Sequence, residues 1–254
     1  MGGAGEDYIV EATGLSKQFM GFLAVQNVDL RVRRNSIHAL IGPNGAGKTT
    51  TFNLLTKFLP PTTGTIRFNG EDITALRPAQ VARKGMVRSF QISALFPRMT
   101  VADNVRIALQ RKLGTAYHFW RSARSLRVLD QRVEELLAAV GLSDDRDRHA
   151  SELPYGRKRA LELATTLALE PEMLLLDEPT SGLGHEDVDR IAELIGSVAR
   201  DRTVLMVEHN LSVVARLSDT ITVLARGQVL CEGNYATVSA DPRVIDAYIG
   251  GVDA

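Results

Sequence analysis

Gly42, Gly45, Gly47, Lys48 and Thr49 stand at the spacing G-x-x-x-x-G-K-[ST], and these residue types together suit one task, the holding of a chain of phosphates. Glycine permits backbone turns that side chains forbid, so the N–H groups of a loop that also contains Asn44, Ala46 and Thr50 can point inward around an anion. A helix beginning at the end of such a loop adds about half a positive charge. Lys48 is then expected to reach the β- and γ-phosphates as a point charge, and Thr49 to offer its hydroxyl to a magnesium ion. The ligand implied is a nucleoside triphosphate.

A second constellation is the apolar run Met173, Leu174, Leu175, Leu176 that ends in Asp177 and Glu178. Bounded by Pro171 and Pro179, the run reads as a buried parallel strand, and α/β sheets place their ligands at the carboxyl ends of such strands. Asp177 is positioned to hold the metal, directly or through water, which leaves Glu178 to polarise an attacking water. A hard dication in a phosphate site keeps several waters and takes only one or two carboxylates, which fits magnesium.

The elements that must position these groups follow from hydrophobic patterning. Ile37, Ala39, Leu40 and Ile41 predict a strand entering the glycine loop, and residues 50–58, with Leu54 and Leu55, predict the helix leaving it. Short strands are expected at 8–12, 24–32 and 64–68 in a mostly antiparallel layer. From Thr100 the period becomes helical. Thr100 and Asp103 form a capping box for a helix to about Gln110, and Leu126, Leu129, Val133, Leu136, Leu137 and Val140 make a stripe ended by Gly141. After Pro179 the pattern reads helix, strand (203–207), helix (211–217), two strands (220–224, 228–231) and a closing helix (242–249). The expectation is an α/β fold over residues 8–250, a P-loop (RecA-like) core with an antiparallel β layer and a helical subdomain inserted at about 92–165. Residues 1–7 read as a disordered tail.

Composition limits the function classes. The 254 residues are 44% hydrophobic, enough for a full core, and 30 basic residues balance 30 acidic ones, so no net field argues for nucleic acid. Apolar runs of four to six residues are too short to span a bilayer, and the first residues lack the pattern of a signal peptide, so a cytosolic chain is expected. One cysteine, Cys231, excludes an internal disulfide and reads as a small core residue. The segment 106–132 is locally basic, with Tyr117, Phe119 and Trp120 among its arginines. It reads either as a solvated face or as a surface facing anionic lipid or a membrane partner.

Taken in order, these residues resemble an ABC-type nucleotide-binding domain, and more narrowly the larger ATPase subunit of branched-chain amino acid importers. The marks are the loop 42–50, Ser89 and Gln91, Leu153 to Arg157, the stretch 175–183, Val207, Glu208 and His209, and the closing 244–250. The resemblance implies an ATPase that uses ATP and Mg2+, works as a face-to-face pair with a second ATPase subunit, and docks on transmembrane permease subunits at the inner face of the membrane. A solute-binding protein would act indirectly. An exporter or lipid-extraction ATPase, or a non-transport ATPase of the same fold, remains the alternative. By the same resemblance Phe19 stacks on adenine, although packing in the strand layer would also explain it. Gln91 senses the γ-phosphate and metal, His209 contacts the γ-phosphate and orients the water, and Tyr155 and Gly156 close on the partner subunit's ATP. Two positions depart from the family pattern. Pro154 stands where a serine is usual, and Gly184 where an Asp or Asn crosses between subunits. Arg157, in place of Gln or Glu, would compensate if it turned inward. Two unequal ATP sites are therefore expected.

Overall fold

The structure, a computed structural model, describes residues 7–89, 95–112 and 129–249. Two sheets build it. The first is antiparallel in the order β2-β1-β4-β5, from β1 (Tyr8–Phe19), β2 (Phe22–Arg33), β4 (Thr63–Phe68) and β5 (Glu71–Asp72). The second has the order β10-β9-β3-β8-β7-β6, from β3 (Ile37–Ile41), β6 (Met86–Arg88), β7 (Met173–Asp177), β8 (Thr203–Val207), β9 (Thr220–Ala225) and β10 (Gln228–Gly233). Strands β9, β3, β8, β7 and β6 run parallel, and β10 closes the edge antiparallel to β9.

Every residue of β3, β7 and β8 is buried, as expected of parallel strands covered on both faces. One face meets the antiparallel sheet and the helix Lys48–Leu55, through a core that includes Leu15, Leu30, Phe52, Ile66, Leu175 and Leu205. The other face belongs to a second core that continues without a break into the helices Val101–Lys112, Asp130–Ala139 and Tyr155–Leu167. The inserted helices are therefore anchored on the sheet by a shared apolar surface.

Several elements differ from expectation for identifiable reasons. β1 runs on past Ala12, because bulges on either side of Leu15 break the alternation without ending the pairing. The helix after the glycine loop begins at Lys48 and ends at Leu55, where Lys57 turns left-handed (φ 63°). Thr100 Oγ1 does cap the next helix, accepting from the Asp103 N–H at 3.1 Å, but the Asp103 carboxylate pairs with Arg106 instead of completing the capping box. Asp7, assigned to the tail, is held by Arg34, which donates to its carboxylate at 3.0 Å. Residues 1–6 and most of the basic aromatic segment lie outside the described residues.

A polar chain, buried at His38 and Thr222, crosses three strands and ends on the exposed Glu232. His38 Nε2 lies 2.7 Å from Thr222 Oγ1, and the Thr222 hydroxyl donates to Glu232, so His38 donates from an Nε2–H tautomer. Burial pushes the His38 pKa from 6.5 down to about 4. The unfolded chain therefore binds a proton that the folded chain refuses as pH falls from about 6.5 to about 4. Stability is complete above that window, and on the order of 3 kcal/mol is lost across it. Denaturant midpoints measured between pH 7 and 4.5 are expected to fall more steeply for the native chain than for His38→Gln. Equal slopes would contradict the assignment.

Candidate functional site

Register brings the chemistry together. Leu40 on β3 and Asp177 on β7 both pair with Val207 on the intervening β8. The glycine loop, Glu178 and His209 thus leave three adjacent strands at one level, within about 10 Å at the normal strand spacing. This is the carboxyl end of the sheet, where α/β folds bind ligands.

The loop is held from behind. A Cβ on Gly42 (φ 147°) would sit 2.1 Å from the Leu224 carbonyl oxygen, and one on Gly47 (φ 99°) would sit 2.7 Å from that of Ala24, so neither position admits a side chain. Gly227 N–H donates to the Ala46 carbonyl at 3.0 Å, which fastens the loop to the β9–β10 turn. The helix that follows has no side-chain cap and no acid in its first turn. Its N-terminal dipole is left for an external anion. Asn44, Gly45 and Thr49 are exposed and Thr50 is half-buried at the mouth.

Lys48 Nζ donates to the carbonyls of Gly42 at 2.7 Å and Pro43 at 2.9 Å. Burial lowers its pKa from the usual lysine value, and the carboxylates of Glu178 and then Asp177 pull it back up. The predicted cation and the predicted acids therefore share one field. Asp177 is buried, and Arg88 donates to its Oδ2. Its other oxygen, Oδ1, is buried with no hydrogen-bond partner among the described residues. An unpaired buried carboxylate oxygen is costly, and it is the kind of atom a cation satisfies.

Glu178 is partly exposed and held in the left-handed region (φ 46°), with its N–H donating to the Val207 carbonyl at 2.9 Å. For a residue with a Cβ that conformation costs on the order of 1 kcal/mol or more, a strain typical of functional turns. His209 is exposed at the next strand end. Between them Glu208, fully buried, accepts four hydrogen bonds. They come from the N–H (2.9 Å) and hydroxyl (2.6 Å) of Thr180 and from the N–H groups of His209 (3.0 Å) and Asn210 (3.1 Å).

Phe19 and Phe22 pair across a tight hairpin turn in which Met20 and Gly21 both have positive φ. Both rings are exposed, and Lys17 lies over Phe19 at 5.2 Å. Because Ala24, two residues after Phe22, abuts Gly47, the hairpin tip stands beside the phosphate loop rather than inside the strand core.

The remaining predicted residues lie elsewhere. Tyr155, Gly156 and Arg157 open the helix Tyr155–Leu167 behind Pro154, which provides no side-chain cap. Tyr155 is exposed, and Gly156 is buried where a Cβ would strike the Asp187 carboxylate at 2.4 Å. The Arg157 guanidinium is paired with Asp145, which ties the start of this helix to the turn after the helix Asp130–Ala139. Gln91 lies outside the described residues. Sequence reasoning missed Glu208 as a clamp, and also Arg88 and Asn53. A lone arginine ending the short strand Met86–Arg88, three residues before Gln91, was the available signal.

The sheet order, the glycine cradle and the acids at the neighbouring strand ends define a P-loop nucleotide-binding domain. Comparison with known proteins narrows it. Residues 25–181 match the ABC transporter family, and residues 228–254 match the family described as branched-chain amino acid ATP-binding cassette transporter. The high-affinity branched-chain amino acid transport ATP-binding protein BraF of Pseudomonas aeruginosa is 40% identical over 249 residues, 95% of this chain and 98% of that one. LivG of Escherichia coli, of the same description, is 39% identical over 251 residues, again 95% and 98%. Among solved structures, the ADP conformation of MJ1267, an ATP-binding cassette of an ABC transporter, superposes with a TM-score of 0.83 at 28% identity, over 96% of this chain and 99% of that one. The chain belongs to the ABC transporter family, as an ATP-binding subunit.

Glu208→Gln would turn an amide NH2 toward the two N–H donors of His209 and Asn210. The variant is expected to lose on the order of 2 kcal/mol in urea unfolding. An unchanged midpoint would contradict the clamp.

Proposed function

We propose that this chain hydrolyses ATP to drive uptake of branched-chain amino acids, or related small solutes, through a membrane permease. The observation that carries the proposal is the shared field of Lys48, Asp177 and Glu178 at the mouth of an uncapped helix. The solute class is supported by the relatives' descriptions and by the match over the C-terminal segment.

In this reading the Lys48 ammonium leaves the carbonyls of Gly42 and Pro43 for the β- and γ-phosphate oxygens of ATP. The loop N–H groups from Gly42 to Thr50 cradle the same phosphates, and the adenine stacks on Phe19. Thr49, Asp177 and Gln91 would hold Mg2+, and the unpaired Oδ1 of Asp177 fits that part. When bound, the ion neutralises charge on the phosphate oxygens. Glu178 accepts a hydrogen bond from the attacking water and polarises it, while His209 orients that water toward the γ-phosphate. Glu208 keeps the turns carrying these two residues at a fixed separation.

A second ATPase subunit would close over the nucleotide with its own signature helix, and this chain's Tyr155 and Gly156 would serve the partner's ATP. Pro154 brings no hydroxyl there, and Arg157 is committed to Asp145, so the site completed by this chain's signature is the weaker of the pair. A mostly apolar cleft of about 610 Å3 between the sheet and the helical insert, walled by Phe58, Met86, Arg88, Phe96, Ile107 and Leu169, is where a permease segment would dock in this reading. Among the described residues no helix is long and apolar enough to cross a membrane, which fits a peripheral subunit on the inner face. A solute-binding protein would deliver the solute to the permease without touching this chain.

Glu178→Gln is expected to lower turnover by ~10²–10⁴-fold while ATP still binds. Lys48→Ala is expected to weaken ATP binding itself by roughly tenfold or more, from the loss of charge-assisted hydrogen bonds. Nucleotide titration with phosphate-release kinetics checks both. Unchanged ATP affinity in Lys48→Ala would overturn the cradle, and full turnover in Glu178→Gln would overturn the base.

A further inference from the structure

Arg88 has an unusual set of partners. It is the last residue of the three-residue edge strand β6, and its side chain is only 11% exposed. One terminal nitrogen donates to Asn53 Oδ1, on the helix that leaves the phosphate loop. The other donates to Oδ2 of Asp177. The guanidinium also lies over two aromatic rings, with its carbon 5.5 Å from the centre of Phe52 and 5.8 Å from that of Phe58. Two hydrogen bonds and two neighbouring rings restrict the fork.

The consequence falls on Asp177. A free aspartate rotates about χ2 and presents either oxygen. Here Oδ2 accepts from Arg88, and Oδ1, buried and without a partner among the described residues, is the oxygen left with no donor. We propose that Arg88, seated by Asn53, is the positioning residue that fixes the Asp177 carboxylate with Oδ1 directed at the divalent ion of MgATP. This rests on the reading of Asp177 as a metal-holding acid. Magnesium tolerates little departure from octahedral geometry, so a carboxylate free to swing is a poorer ligand, or a poorer acceptor from a metal-bound water, than a clamped one. The arrangement also relates two regions of the molecule. Arg88 and Phe58 form part of the wall of the 610 Å3 cleft, and Asn53 belongs to the helix that carries Lys48.

The requirement is for arginine specifically. A lysine ammonium could reach Asp177 or Asn53, but it lacks the planar fork that binds both at once beside two rings. Arg88→Lys keeps the charge beside Asp177 and removes only the fixed direction. Asn53→Ala leaves Arg88 in place and removes its second anchor, so it gives the same effect in weaker form.

The test uses the whole chain and a fluorescent ATP analogue, titrated once in EDTA and then with rising Mg2+ at constant nucleotide. Arg88→Lys is expected to raise the Mg2+ concentration at half-saturation roughly tenfold, and Asn53→Ala about threefold, with metal-free nucleotide affinity within twofold of the native chain. Thermal melting in EDTA serves as the structural control. Native Mg2+ half-saturation in both variants overturns the proposal. So does a loss of metal-free affinity and melting temperature with no selective change in Mg2+ dependence, because that pattern belongs to a merely structural arginine. If the native chain binds nucleotide with no response to Mg2+, the reading of Asp177 fails first and the positioning role falls with it. Failure to bind nucleotide at all, with or without metal, would instead fall on the glycine cradle.

Discussion

The constraint on which the rest depends is the partial burial of one ammonium group. Lys48 is drawn out of water at the end of a helix whose own dipole is positive, and burial lowers its pKa. Two carbonyls of its own loop solvate it, and the carboxylates of Glu178 and Asp177 offset part of the cost through their field. A site assembled in this way is biased toward a polyanion. Phosphate oxygens can replace the two carbonyls with full negative charge, and the helix N-terminus gains from the exchange.

Holding acids near that lysine poses the opposite problem. Carboxylates at adjacent strand ends repel one another and lose hydration, so each needs donors arranged around it. The structure meets the need with two clamps of different kinds. Glu208 sits inside a ring of backbone and hydroxyl donors and joins the turn after β7 to the turn after β8. Asp177 is held by a guanidinium whose orientation is set by a distant amide and two rings. Between the clamps Glu178, in a strained left-handed conformation, keeps a partly exposed side chain at the mouth. Rigid supports around one accessible acid are what a water-polarising group requires.

Much of this was legible in the sequence because it is local. The glycine spacing, the apolar run ending in two acids and the buried strands β3 and β7 each arise within a few residues, where periodicity and backbone chemistry act directly. What was missed depends on tertiary neighbours. Strand β6 has three residues, too few to show a period. The extension of β1 beyond Ala12 is carried by bulges that disrupt alternation. Glu208 received no role of its own from the sequence because its four donors come from a turn 28 residues earlier as well as its own. The pairing of Arg157 with Asp145, 12 residues before it, had no visible signal in the sequence. Family resemblance gave roles to Phe19 and His209, and the hairpin beside Gly47 and the exposed strand end are compatible with those roles.

The central claim is that Lys48 exchanges its loop carbonyls for phosphate oxygens while Thr49 and Asp177 face the same divalent ion. A crystal structure of the Glu178→Gln chain with ATP and Mn2+, the metal located by its anomalous signal, tests this most directly. The account predicts Lys48 Nζ within hydrogen-bond distance of the β- and γ-phosphates, and a metal peak between the Thr49 hydroxyl and Oδ1 of Asp177, bound directly or through one water. Nucleotide bound away from the glycine loop, with Lys48 still on Gly42 and Pro43 and the metal remote from Asp177, would contradict it.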